Sequence, residues 1–187
     1  MKKRILKTNL ELLGLQIFFA VLSMFFVEFF SWMQGWKWIY SLLTGWLFLG
    51  AVHSTFWQMG NKDYKNNVIV NNYIENESEK VKLSMLGGAK TGFWFFIINV
   101  IIVLATLVFD KGSGYGDVLF LIHRVMLFPL AGFLPETANK FYWYVCIILC
   151  VVMYIPCITA YISGAHNFSL TEKYVPKIIY KNPNKKD

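Results

Sequence analysis

Apolar residues fill four long stretches of this chain, and polar residues gather between them. The runs are Leu12 to Trp32, Ile39 to Trp57, Thr91 to Phe109 and Phe141 to Ser163. Each is close to the roughly 20 residues that an α-helix needs to cross about 30 Å of hydrocarbon. The pattern predicts an all-α integral membrane protein: a four-helix transmembrane bundle forming one multi-pass domain over residues 1–187.

Lys2, Lys3, Arg4 and Lys7 precede the first run. A cleaved signal peptide has roughly 7–15 apolar residues ahead of a small-residue cleavage site. This run is longer, is bulky with Phe, and ends in Phe29-Phe30-Ser31-Trp32, so it is expected to be a retained span with its N-terminus inside. Trp32, Trp36 and Trp38 then cluster in a short turn, as amphipathic rings do at a membrane interface.

The stretch Asp117 to Leu134 decides the topology. At about 17 residues it sits at the lower limit for a span. His123 and Arg124 fall near its middle, and Pro129 interrupts it. An Arg at the bilayer centre costs at least about 2.5 kcal/mol on insertion scales. The segment is therefore expected to be re-entrant or amphipathic in the outer leaflet, between the third and fourth helices. The chain then has four spans, and both ends share a side.

Basic residues agree. The loop 58–90 carries Lys62, Lys65, Lys80, Lys82 and Lys90 against Asp63, Glu75, Glu77 and Glu79. The tail 164–187 carries Lys173, Lys177, Lys181, Lys185 and Lys186. The positive-inside rule places both in the cytoplasm of a cell whose plasma membrane holds the protein. Asn66 to Ile74 and Lys80 to Met85 alternate enough for a short hairpin, with a solvated loop as the equal alternative. Tyr174 to Tyr180 alternates in a similar way.

Composition sharpens the class. The chain is 56% hydrophobic and only 16% charged, against about 25% charged in soluble domains. Its net charge of +7 sits between and beyond the apolar runs, which points to anionic lipid heads and excludes a nucleic-acid module. Lys outnumbers Arg 16 to 2, a bias that leans towards an AT-rich bacterial source.

Candidate chemistry is sparse. Glu28 is placed near the outer end of the first span and His53 near the inner end of the second, too far apart to pair. Arg124, with His123, lies on the same side as Glu28, and Glu136 follows. These four form a candidate outer-face polar cluster in which Arg124 docks onto Glu28; the competing reading lets Glu28 snorkel to the surface. Cys146, Cys150 and Cys157 fall on one helix face and, with no acidic or His partner there, are read as packing residues rather than metal ligands. Ser41 with Gly45, and Gly50 with Ser54, are small-xxx-small pairs that let helices approach, within the bundle or between subunits, and Asn99 is interhelical hydrogen-bond glue.

Several motifs are set aside. Gly112-Ser113-Gly114-Tyr115-Gly116 lacks the Lys-Ser/Thr ending of a P-loop. Leu134-Pro135-Glu136-Thr137-Ala138 looks like a variant of the sortase sorting signal, but Ala138 stands where Gly is usual and three spans precede it. The acceptor patterns at Asn76 and Asn167 are placed on the cytoplasmic side and are expected to be unmodified. Neither Gly-x-Ser-x-Gly nor His-Glu-x-x-His occurs. No metal or cofactor is expected. The expected role is a non-enzymatic accessory or partner-binding subunit of a membrane assembly. The alternatives are an oligomeric small-solute transporter or permease component, and an intramembrane enzyme acting at the outer headgroup level. The expected partners are the bilayer and another membrane protein or further copies of this chain.

Overall fold

The computed structural model describes residues 2–29, 37–108, 114–127, 129–130 and 140–168. Five α-helices make up almost all of it: α1 Lys2–Phe29, α2 Lys37–Asn72, α3 Gly87–Val108, α4 Gly114–Leu127 and α5 Lys140–Ala165. No strand occurs among the described residues. Four helices are long and apolar enough to cross a membrane, over Lys3–Phe26, Ile39–Asn72, Gly87–Val108 and Tyr142–Ala165. They suggest a multi-pass membrane protein. The outward surface fits that class. Phe25 is 70% exposed, Trp46 79% and Val108 78%, while Gln16, Ser23, Ser41 and Thr44 are fully buried. Helices satisfy their backbone groups internally, which is what an apolar medium demands. Their hydroxyls follow suit: Thr55, Thr106, Thr159 and Ser163 each donate to the carbonyl four residues back.

Side-chain contacts fix the helix directions. Arg4 meets Asp63 at one end of the bundle and Phe19 meets Phe48 farther along, so α1 and α2 are antiparallel. Asn9 reaches Thr91 and Gln16 reaches Asn99, so α1 and α3 are parallel. A Cβ on Gly88 would press on Tyr161 and one on Gly92 on Cys157, while Phe96 stacks on Tyr154, so α3 and α5 are antiparallel. The core between them is Phe48, Phe56, Phe95, Tyr142 and Met153, with Cys146, Cys150 and Cys157 among its buried members.

The helices differ from the apolar runs at two places. α1 starts at Lys2 rather than at Leu12. Thr8 and Asn9 are buried against the bundle and Arg4 is neutralised by Asp63, so the polar first turns gain partners by being helical. α2 does not stop at Trp57 but runs on unbroken to Asn72. Asn66 to Asn72 are therefore helical, so of the two alternatives for this stretch the hairpin does not form. Asn67 and Asn71, one turn apart, instead hold the returning loop by its backbone. Both donate to the Val81 carbonyl, and the Val81 N–H donates back to Asn71 at 2.9 Å. Tyr174 to Tyr180 lies outside the described residues.

α5 ends in a Schellman motif. Asn167 takes a positive φ of 52°. The Phe168 N–H reaches the Ser163 carbonyl and the Asn167 N–H that of Gly164, both at 2.9 Å. Asn167 Oδ1 and the Phe168 carbonyl then accept from Asn61 and Trp57, which ties the end of α5 to α2.

Candidate functional site

Three polar residues recur every seventh position along α1: Asn9, Gln16 and Ser23. Seven residues are nearly two helical turns, so all three share one face, about 10.5 Å apart. That face looks into the bundle, with Asn9 6% exposed and Gln16 and Ser23 at 0%. α3 presents Thr91, Asn99 and Thr106, each 7% exposed or less. Asn9 Nδ2 donates to the Thr91 carbonyl at 3.0 Å, and Gln16 Nε2 to Asn99 Oδ1 at 2.7 Å. The offset along the sequence is 82 in the first pair and 83 in the second. Continued by one more repeat, it sets Ser23 level with Thr106. The result is a polar seam between α1 and α3.

α4 ends on this seam. It has 14 residues, about 21 Å of helix, against about 30 Å of hydrocarbon. The last carbonyls of any helix lack an internal partner. Here the Met126 carbonyl accepts from Gln16 Nε2 at 2.7 Å, and the Pro129 carbonyl just beyond lies 3.1 Å from Thr44 Oγ1. Thr44 has one hydroxyl proton to share between Pro129 and its own Tyr40 carbonyl at 2.9 Å. Gln16 thus uses both amide protons, one on α3 and one on α4. The seam consists of neutral amides and hydroxyls, which serve as hydrogen-bond donors and acceptors. Asn9 Oδ1, Gln16 Oε1 and Ser23 Oγ are buried there without a hydrogen-bond partner.

The residues singled out in the sequence fall at several places in the fold. His123 is 1% exposed, stacked on Trp143 with ring centroids 5.7 Å apart and edge-on to Tyr142. Glu28 lies in the last turn of α1 and Arg124 in α4, but their side chains, and with them the Glu28–Arg124 pairing, lie outside the described residues. Glu136 and the sortase-like stretch lie outside them as well. His53 is exposed on α2. Counted from the Phe19–Phe48 contact, it lies about 21 Å along the bundle from Glu28. Ser41 is buried, and a Cβ on Gly45 would come 2.6 Å from Leu130 Cδ2. Gly50 and Ser54 face outward, with nothing within 4 Å of a Cβ on Gly50. Asn99 is buried in the seam and the three cysteines in the core. No group of three His, Cys, Asp or Glu gathers among the described residues.

The Arg4 end carries a second constellation. Arg4 pairs with Asp63 through two bonds, at 2.6 and 3.0 Å, and Tyr161 donates to the same carboxylate at 2.9 Å. α2 continues from Asp63 to Asn72, about 14 Å of helix past this clamp. On that overhang Val68 is 39% exposed, Ile69 55% and Val70 48%, and Tyr73 just beyond is 85% exposed.

Fold and seam together define a class, a compact helical bundle with four candidate membrane spans and a short helix ending inside it. No protein-family model, curated protein or solved structure matches this chain.

Proposed function

We propose that the chain is a four-span plasma-membrane protein with both termini in the cytoplasm. In this reading α4 dips into the outer leaflet and turns back at Pro129. It serves as a non-enzymatic accessory subunit that binds a partner protein through the overhang of α2. The observation that carries this reading is the apolar surface of Val68, Ile69, Val70 and Tyr73, placed beyond the Arg4–Asp63 clamp. In this reading Lys62, Asp63 and Lys65 mark where hydrocarbon ends, so lipid tails stop short of this surface. Ile69 and Tyr73, four residues apart, share one side of the overhang with Val68 and Val70 flanking it, and an exposed apolar patch marks a protein or membrane contact. The bond between Asn71 and Val81 braces the loop beside it.

The test is the native size of the complex after gentle solubilisation. Ile69→Asp with Tyr73→Ala is expected to release a smaller particle than the parent chain while helix content stays unchanged. A parent chain that already migrates alone, or a variant that keeps the full-size complex, contradicts the reading.

A second reading, a small-solute permease, draws on the three unpartnered oxygens of the seam. Transporters place binding groups at broken helices near the midplane. Solute flux in vesicles holding this protein alone, abolished by Gln16→Leu, would favour it over the accessory role.

A further inference from the structure

Between α1 and α2, at the Arg4 end, lies a cleft of about 690 Å³. Lys3, Lys7 and Lys62 line its rim, and Thr55, Gln58 and Met59 its wall. Arg4 also borders it, but its charge is spent on Asp63. Glu11 is the one carboxylate in the lining, 3.8 Å from Lys7. Three ammonium groups against one carboxylate leave the cleft electropositive. A shallower groove of about 470 Å³ adjoins it along α1, sharing Lys3 and Lys7 and floored by Leu6 and Leu10. Both leucines are more than half exposed, at 63% and 61%. Lys3 and Lys7 are one turn apart, as are Leu6 and Leu10, so the basic and apolar portions are stacked along one helix face.

We propose that this cleft and groove bind one anionic phospholipid from the surrounding leaflet. The phosphate lies among Lys3, Lys7 and Lys62, the hydroxyl of Thr55 and the amide of Gln58 face the glycerol, and one acyl chain runs along Leu6 and Leu10. The inference rests on the helices lying in a bilayer, though not on which side the Arg4 end faces. Charge selects the headgroup, since basic pockets between spans attract acidic lipid heads. The adjoining groove selects a lipid over a free phosphate ion, which has no use for two exposed leucines. The lipid would also wedge against the α1–α2 contact that the Arg4–Asp63 pair closes, and so stiffen the end of the bundle from which the α2 overhang projects.

The test uses the full chain in neutral detergent, with retention of phosphatidylglycerol and of phosphatidylcholine of the same acyl length read by native mass spectrometry. The parent chain is expected to retain phosphatidylglycerol in preference. Replacing Lys3, Lys7 and Lys62 together with Gln is expected to weaken retention about a hundredfold. Replacing Lys65, Lys82 and Lys90 with Gln at the same end is expected to leave it unchanged. Millimolar inorganic phosphate is expected not to displace the lipid, and Leu6→Asn with Leu10→Asn to weaken it. Equal retention of the two lipids, equal loss in the two lysine triples, or displacement by phosphate would each overturn the proposal. Protease protection in vesicles, run in parallel, reports separately whether the helices span.

Discussion

Two regions of this bundle are joined by different physics. At the Arg4 end, α2 and α5 touch backbone to backbone. A Cβ on Gly60 would overlap the Tyr161 carbonyl, and one on Gly164 would overlap that of Trp57, so the two glycines answer each other across the contact. On α3, Gly87 and Gly88 leave room for the Tyr161 side chain of α5. Towards the middle, α1, α3 and α4 are joined by amides, Gln16 to Asn99 and to Met126. In lipid there is no hydrophobic force between helices, because the tails are as apolar as the side chains. Close packing and interhelical hydrogen bonds are what remain. Glycine packing needs no partner chemistry but tolerates no added atom. The amide seam tolerates shape changes but not the loss of a donor, since an unsatisfied buried carbonyl costs about 1–3 kcal/mol.

The largest effect is expected at the glycines. Gly164→Val is expected to cost about 3 kcal/mol or more, because the clash is with main-chain atoms that have nowhere to move. Gly14→Val, with nothing within 4 Å of its Cβ, serves as the control and is expected to be near neutral. Unfolding of the detergent-solubilised protein by a denaturing detergent, followed by helix content, measures both. Equal losses would mean that close approach is not what joins α2 and α5.

A smaller effect is expected in the seam. Gln16→Leu should cost about 2 kcal/mol, since it strands Asn99 Oδ1 and the Met126 carbonyl together. The double change with Asn99→Leu should cost less than the sum of the singles by about 1 kcal/mol. Strict additivity would show that the two amides do not act as a pair. The smallest effect is at Gly50, where Ala adds helix propensity and meets nothing. A gain of up to about 1 kcal/mol is expected in micelles. A loss that occurs only when copies are concentrated in a bilayer would reveal a contact between subunits on this face.

The four apolar helices were legible in the sequence because a bilayer demands length and hydropathy, and both are local. What hydropathy missed depends on partners. Asn9 reads as a polar residue ahead of a span until Thr91 is known to accept from it. Asp63 reads as one acid among lysines until Arg4 and Tyr161 close on it. Val68-Ile69-Val70 carries a β-branched signal, yet the helix running in from Trp57 overrides it, and Asn67 and Asn71 fix the loop where a second strand was one alternative. The seven-residue recurrence of Asn9, Gln16 and Ser23 was visible in the chain. Its meaning was not, because the parallel register of α1 and α3 is a tertiary fact. Asn99 and the Ser41–Gly45 pair carry their own signal, as polar or small residues inside apolar runs.

The topology stands or falls on which side of the membrane the two ends of the chain and the α3–α4 connection occupy. Single cysteines placed at Lys3, at Lys111 and after Asp187, treated in intact cells with a membrane-impermeant thiol reagent, read this directly. Labelling is expected at position 111 alone, with positions 3 and 188 reacting only after the cells are opened. Labelling of the C-terminal cysteine from outside would mean that α4 completes a fifth crossing, and would contradict the four-span bundle.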